Sequence, residues 1–272
     1  MGVASSVPEI PCRKTDNKPR PEDPALKDSQ DAFGHSMWDH YMGRPAMEVV
    51  ERDDGLIDPS EEAPKLYFAP FRDWWPIERR AIGYAKGRVL DVGCGAGRVS
   101  IYLQDRRGLD VTGIDNSPLA IKISKRRGLR KAVLVPFEKI GFGPNSFDTV
   151  VMFGNNFGLF GSRSRAKRLL TRLYRMTSAD AVLLGESNNP YKTDKPEHLR
   201  YQRLNRERGR MSGQVRIRIR YRRYVGKWFD YLLVSPEEMR DIAKGTGWAV
   251  DRFIGTRGSS LYVAVLRKAP AR

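Results

Sequence analysis

The stretch Val89-Leu90-Asp91-Val92-Gly93-Cys94-Gly95-Ala96-Gly97-Arg98 constrains this chain more than any other. An apolar run breaks into three alternating glycines and then into a segment of helical character, which reads as strand, glycine turn and helix. Without Cβ atoms the backbone of such a turn can bend tightly and let a flat, polar ligand lie against main-chain N–H groups at the start of a helix. Turns of this kind serve phosphates, dinucleotides and other adenosine ligands, and some only pack a helix against a sheet.

Two spacings narrow the choice. From Asp110 a second short strand, Val111-Thr112-Gly113-Ile114-Asp115, ends in a carboxylate eighteen residues beyond Gly97, about where a ribose-binding acid falls in a βαβ nucleotide fold. The dinucleotide pattern G-x-G-x-x-G is not met, because Arg98 stands where its last glycine would be. A large side chain there argues against a pyrophosphate pressed onto the helix.

With these residues the chain resembles the class I S-adenosylmethionine-dependent methyltransferases, of the small-molecule type. Asp91-Val92-Gly93-Cys94-Gly95-Ala96-Gly97 is similar to the first motif of that family, and Asp115 stands at the position of its ribose-binding acid. Ser146-Phe147-Asp148-Thr149-Val150-Val151 resembles its fourth strand, with the usual Phe-Asp start. The resemblance runs from Gly87 to Leu266 and implies a Rossmann-like, doubly wound α/β fold. Its seven-stranded sheet would be mostly parallel, with an antiparallel last strand inserted beside the fifth. The implied cofactor is S-adenosyl-L-methionine. Asp91 and the turn residues Gly93, Cys94, Gly95 and Gly97 would hold its methionine moiety, and Asp115 with Asn116 its ribose. The family's usual Asp after the third strand is missing, so the resemblance puts Glu138 at the adenine, with Phe137 flanking the ring. Gly154 and Asn155 would face the sulfonium through main-chain atoms.

Beyond Gly87 the chain alternates strand and helix signals, as a doubly wound sheet requires. Ser117-Pro118 is an N-cap followed by proline at the first helical position, and Gly128 closes that helix after Lys125-Arg126-Arg127. Lys131 to Val135 is a third short strand. Ala166, Leu169, Leu170, Leu173 and Tyr174 lay one apolar stripe along a helix. Ala181 to Gly185 is a fifth, buried strand. Ser235-Pro236-Glu237-Glu238 opens a helix with a capping box, and Trp248–Phe253 and Leu261–Leu266 read as a terminal hairpin around residues 255–258.

Three regions are expected. Residues 1–30, rich in Pro, Lys, Asp and Ser, read as a disordered tail. Residues 31–86 read as a helical lid segment whose aromatics, Phe33, Trp38, Tyr41, Tyr67, Phe68, Phe71, Trp74 and Trp75, supply buried area or line the ligand. Residues 87–272 form the main domain, interrupted by a cap at 187–234 that is longer than a connection needs. In that cap Val215 to Arg222 alternates strictly, with aliphatic and aromatic groups on one face and arginines on the other. Trp228 to Val234 is a strand able to pair with it. The insertion leaves the carboxyl end of a strand, where open α/β sheets bind ligands, so it is placed to wall the substrate site. Asn189-Pro190-Tyr191 follows the fifth strand rather than the fourth, the wrong place for the Asn-Pro-Pro-Tyr motif of amino-group methyltransferases.

The net charge is +17, and it is concentrated: residues 187–227 hold thirteen Lys and Arg against three Asp and Glu. A basic surface beside a site attracts RNA, DNA or a small anionic substrate, or is simply solvated. Aromatic interleaving along Lys192–Arg210 is limited to Tyr191 and Tyr201, which is poor for stacking bases. Methyl transfer to a small-molecule acceptor, with an anionic one among the candidates, is therefore favoured. The alternatives are an RNA- or DNA-modifying methyltransferase using the basic cap, and a nucleotide-dependent oxidoreductase or non-catalytic cofactor sensor on the same scaffold.

No run approaches the ~18 apolar residues of a membrane helix and no signal-peptide core stands at the N-terminus, so a cytoplasmic protein without stable membrane insertion is expected. Met1 to Ser6 fits the N-myristoylation pattern, one short enough to recur by accident. Cys12 and Cys94 make neither a disulfide framework nor a zinc site, and no metal is expected. Because a sulfonium methyl is already activated, the protein must align acceptor, methyl and sulfur and exclude water. A general base is needed only where the acceptor loses a proton as it attacks. Glu186, at the carboxyl end of the fifth strand, Asn155 and Asn156 are the catalytic candidates, with His198 and Asp230 as further choices in the cap.

Overall fold

The computed structural model describes residues 26–269. Most of the expected tail, the Met1–Ser6 pattern and Cys12 lie outside the described residues. Regular structure begins before residue 31, with a 3-10 turn at Asp28–Gln30. The lid segment then holds α1 (Ala32–Tyr41), β1 (Glu48–Arg52), β2 (Ile57–Ser60), α2 (Glu62–Leu66) and α3 (Pro76–Ala81). It is thus not purely helical: β1 and β2 form an antiparallel hairpin.

The main domain follows as β3 (Arg88–Val92), α4 (Arg98–Arg106), β4 (Asp110–Asp115), α5 (Pro118–Arg126), β5 (Lys131–Leu134), β6 (Phe147–Met152), α6 (Arg163–Met176) and β7 (Thr177–Asn188). The cap supplies α7 (Pro196–Glu207), β8 (Gln214–Tyr221), β9 (Tyr224–Val225) and β10 (Phe229–Leu232), and the chain closes with α8 (Pro236–Ala243), β11 (Trp248–Gly255) and β12 (Leu261–Lys268). The large sheet has seven strands in the order β11-β12-β7-β6-β3-β4-β5. Its strands from β7 to β5 are parallel neighbours, while β12 runs antiparallel to both β7 and β11. This is the doubly wound arrangement that the sequence implied, with the antiparallel last strand beside the fifth.

Central strands buried on both faces need apolar residues in succession, and β3 shows how they divide. Leu90 and Val92 join Val150, Met152, Leu169, Leu170, Leu173 and Ile242 in one core layer. Val89 turns the other way, to Ile77, Ile82, Leu103, Val151 and Val265. Asp148, of the Phe-Asp pair, receives the Arg88 N–H at 2.9 Å and its guanidinium at 3.0 Å, tying the entrances of β6 and β3 together.

The cap and the lid segment build one second sheet, in the order β10-β8-β1-β2 with β9 on β8, and all its pairings are antiparallel. Val50 faces Ile219, Glu51 faces Arg218, and Tyr231 faces Val215. Period two then puts Glu48, Val50, Ile217, Ile219, Tyr221 and Tyr231 on one face and Glu51, Asp230, Arg216, Arg218 and Arg220 on the other. On that charged face Glu51 receives Arg218 at 2.7 Å and Arg220 at 3.1 Å, and Asp230 receives Arg216 at 3.2 Å. Three arginines of the alternating run are thus answered by carboxylates of neighbouring strands.

The lid aromatics are mostly packing. Phe33, Trp38, Tyr41, Tyr67 and Phe68 surround Met37, Ala96, Ala120 and Ile123 where α1 lies on α5, and Phe71 stacks on Tyr102 at 4.3 Å. Trp75 alone of the group is strongly exposed, at 53%. No helix among the described residues is long and apolar enough to cross a membrane.

Candidate active site

The glycine turn joins β3 to α4 and is tied to the end of β4: Ile114 O accepts the N–H groups of Gly93 at 2.9 Å and Cys94 at 3.0 Å. Gly95 has φ +53°, and a Cβ there would find only Met37 Sδ, at 3.8 Å. Gly95 is itself buried, and a side chain there would meet Met37 at ordinary contact distance without a clash. At Gly93 a Cβ would sit 2.5 Å from Asn156 Nδ2, and at Gly97 it would press Ile101 Cδ1 at 3.1 Å, so those two glycines serve close packing. Cys94 is a small buried filler against Gly113. Burial pushes its thiol well above the ordinary range.

Two buried carboxylates flank the turn. Asp115 accepts the Gly95 N–H on Oδ2 and the Ser117 N–H on Oδ1, both at 2.9 Å. Asp91 accepts the Ser100 hydroxyl at 2.6 Å. Burial outweighs these donors and pushes each acid up to about 6. Such groups are short of positive charge and of further hydrogen-bond donors. Asn116 beside Asp115 is exposed.

The loop after β6 forms the third side. Gly154 is exposed, and a Cβ there would meet nothing within 4 Å. Glu186, at the end of β7 and 2% exposed, accepts the N–H groups of Gly154 at 3.2 Å and Asn155 at 2.9 Å. Burial, and after it the charge of Glu78, pushes this carboxyl upward. Asn155 takes φ +64°; its Oδ1 accepts the Asn188 N–H at 3.0 Å and its carbonyl accepts the Tyr231 hydroxyl at 2.6 Å. Asn156 Nδ2 donates to Val92 O at 2.9 Å and Gly93 O at 3.0 Å. The three catalytic candidates therefore meet in one place, and the contacts they make hold the loop.

Other candidates lie elsewhere. Phe137 is in the core, 5.3 Å from the Phe160 ring. Glu138 turns to the surface, 51% exposed and paired with Arg165 at 3.4 Å. A 3-10 turn over Phe137–Lys139 sends these adjacent side chains in different directions. His198 Nδ1 is 3.0 Å from Thr193 Oγ1 at the start of α7, and Asp230 sits on the charged face with Arg216.

Three residues absent from the sequence reading belong to this neighbourhood. Glu78, fully buried on α3, takes a bidentate pair from Arg98 at 2.5 and 3.0 Å, with that guanidinium 4.6 Å from the Trp74 ring. Glu48 on β1, 7% exposed, accepts the Tyr67 hydroxyl at 2.9 Å. Burial pushes Glu48 up to about 7. Tyr231, on β10, is raised by burial and then by the charges of Glu186 and Glu48. The only sequence signal was Glu48 itself, a carboxylate opening the apolar pair Val49-Val50. No group of three or more His, Cys, Asp or Glu able to hold a metal ion occurs among the described residues.

Residues 89–180 match the family model described as a methyltransferase domain. The crystal structure of a SAM-dependent methyltransferase from Bacteroides fragilis, in complex with S-adenosyl-L-homocysteine, is similar over 90% of this chain and 98% of that one, with a TM-score of 0.76 and 24% identity. The chain thus has the fold of the class I S-adenosylmethionine-dependent methyltransferases, and the residues that match the methyltransferase-domain model include the strands β3 to β6. A Geobacillus sp. (strain WCH70) protein named as a methyltransferase is 29% identical over 136 residues, which are 46% of this chain and 54% of that protein. The ubiquinone biosynthesis O-methyltransferase of Bordetella avium (strain 197N) is 38% identical over 84 residues, 30% of this chain and 34% of the enzyme. The chain spans about half the length of the first of these relatives and a third of the second.

Proposed function

We propose that this protein transfers the methyl group of S-adenosyl-L-methionine to a small-molecule acceptor. The observation that carries the reading is the pairing of Gly95, in a left-handed turn with no side chain pressing on it, with the buried carboxylate of Asp115 that receives its N–H. The residues present suit the cofactor's chemistry: Asp115 has lone pairs for ribose hydroxyls, Asp91 a carboxylate for an ammonium, and Gly154 an unobstructed backbone.

When bound, the cofactor supplies a methyl carbon already activated by a positive sulfur, so the protein need not generate an electrophile. The chain's own task is alignment and exclusion of water. Glu186 fixes the 154–155 backbone from below, and Tyr231 fixes it from the second sheet. Glu186, Asn155 and Asn156 are thereby positioning residues. The lid segment and the cap, joined through β1 and β8, wall the acceptor side.

The test is calorimetry with S-adenosylmethionine, S-adenosylhomocysteine and NAD, followed by incubation with methyl-labelled cofactor and fractionated cell extract. Binding of the two adenosyl compounds but not NAD, with label entering a small-molecule fraction, is expected. Binding of NAD alone, or label found only in RNA, overturns the reading.

A further inference from the structure

The charge seen in the sequence and the charge at the site have opposite signs. Three cap arginines are spent on Glu51 and Asp230, on the face of the second sheet that carries those carboxylates. The other face carries Glu48 and Tyr231 toward the loop after β6, where the Tyr231 hydroxyl reaches Asn155 O. Around that loop and the glycine turn, Glu48, Glu78, Asp91, Asp115 and Glu186 are all under 9% exposed. Three cations stand near them and each is engaged: Arg98 gives both terminal nitrogens to Glu78, Arg127 donates to the Ala96 carbonyl of the glycine turn at 2.6 Å, and Arg52, on the Glu48 face of the second sheet, pairs with Asp54 at 2.7 Å.

We propose that the acceptor site lies between this face of the second sheet and the 154–155 loop, that it takes a neutral or cationic acceptor presenting an N–H or O–H group and rejects carboxylates and phosphates, and that Glu48 receives the acceptor's proton. This rests on the methyl transfer proposed above and replaces the anionic acceptor considered from the basic cap.

The argument is electrostatic and geometric. With Glu78 paired to Arg98 and Asp91 and Asp115 taken by the proposed cofactor, Glu48 and Glu186 are the carboxylates left without a cation; bringing an anion beside them costs both desolvation and repulsion, whereas a cation or a donor relieves a deficit. Glu48 uses Oε2 for the Tyr67 hydroxyl, and Oε1 takes no hydrogen bond among the described residues although it is not sealed from solvent. It is a free acceptor on a side chain whose other oxygen is pinned. Burial places Glu48 at about 7, which suits proton acceptance near neutrality. A cationic acceptor gives its proton to Glu48 before it attacks, which frees the nitrogen lone pair, and a neutral one as it attacks; the lone pair forms the new bond to the methyl carbon while the carbon–sulfur bond breaks and its electron pair stays on sulfur. The proton lost by the acceptor nitrogen or oxygen goes to Glu48 and from there to solvent.

Two probes of matched shape separate the possibilities: phenethylamine and 3-phenylpropionate, each titrated into the protein saturated with S-adenosylhomocysteine. The amine should bind and the carboxylate should not. Glu48→Gln should weaken the amine at least tenfold while leaving S-adenosylhomocysteine affinity within about threefold, and Tyr67→Phe, which unpins Glu48 without removing it, should give a smaller loss of amine affinity. In labelled extract, the methylated product should elute with the neutral or cationic fraction on ion exchange. Preference for the carboxylate, no amine binding at millimolar concentration, unchanged amine affinity in Glu48→Gln, or a labelled anionic product overturns the inference while the cofactor reading stands. Failure of the parent protein to bind S-adenosylhomocysteine would remove both.

Discussion

Asp31 and Ser117, far apart in sequence, share one hydrogen bond of 2.8 Å that makes a single carboxylate the cap of two helices. Asp31 Oδ1 accepts the Gly34 N–H at 3.0 Å at the start of α1, while Oδ2 accepts the Ser117 hydroxyl and, at 3.2 Å, the Leu119 N–H at the start of α5. Since α5 follows directly on Asp115, this buried acid fastens α1 to the edge of the proposed cofactor site. Asp31→Ala leaves donors of both helices unanswered, at a cost of about 2 kcal/mol. The expected outcome is a Tm lower by about 4–8 °C for a domain of this size, with weaker S-adenosylhomocysteine binding by calorimetry.

The raised acids at the glycine turn predict that stability and cofactor affinity respond to pH in opposite senses. Asp91 and Asp115 stand at about 6 against an ordinary 3.8, and Glu48 at about 7 against 4.5. Between those limits the folded chain holds more protons than the unfolded one, so stability without ligand falls as pH rises through the window. Asp148, held low by Arg88, works the other way and costs stability only in acid. Binding of cationic S-adenosylmethionine favours the ionised acids, so its affinity should rise between pH 5 and 8, by about tenfold for each carboxylate that must ionise. Calorimetry across that range checks it, and Asp91→Asn should flatten both slopes.

The seven-stranded sheet and the glycine turn after its first strand were legible because their signals are local. Glycine spacing, the Ser117-Pro118 cap and the α6 stripe each act within a few residues. The second sheet was not legible, because β1 is a short, half-charged strand whose partner β8 lies far along the chain. Its alternation announced β8 but could not say that β1 would answer Arg218 and Arg220 with Glu51. The directions of Phe137 and Glu138 were not legible either, because a 3-10 turn decides which of two adjacent side chains faces inward.

Arg98, the side chain that broke the dinucleotide pattern, turns to the lid rather than to a ligand. Its bidentate bond with Glu78 joins α4 to α3 in a place where Glu78 has no access to water. Removing one partner strands the other, so Glu78→Gln should cost about 3 kcal/mol. Replacing both, as Glu78→Gln with Arg98→Met, should cost less than Glu78→Gln alone. Urea unfolding of the three proteins measures the difference, and equal losses for the single and double variants would show that packing, not charge, holds the contact.

Tyr231 reaches Asn155 only because Gly158 has no side chain. A Cβ at Gly158 would lie 2.2 Å from the Tyr231 ring, a distance the 3-10 turn over Asn156–Phe160 cannot relieve without moving β10. Gly158→Ala should therefore push the ring aside and break its hydrogen bond to the Asn155 carbonyl, costing about 1–3 kcal/mol as overpacking does. The cause is separable from any general intolerance of the turn, because the clash needs both partners. In a Tyr231→Ala background the same substitution should cost well under 1 kcal/mol, giving a coupling energy of the size that contacting residues show. Thermal unfolding of the four proteins of this cycle decides it: additive losses would mean that the second sheet and the 154–160 loop are held together by something other than this ring.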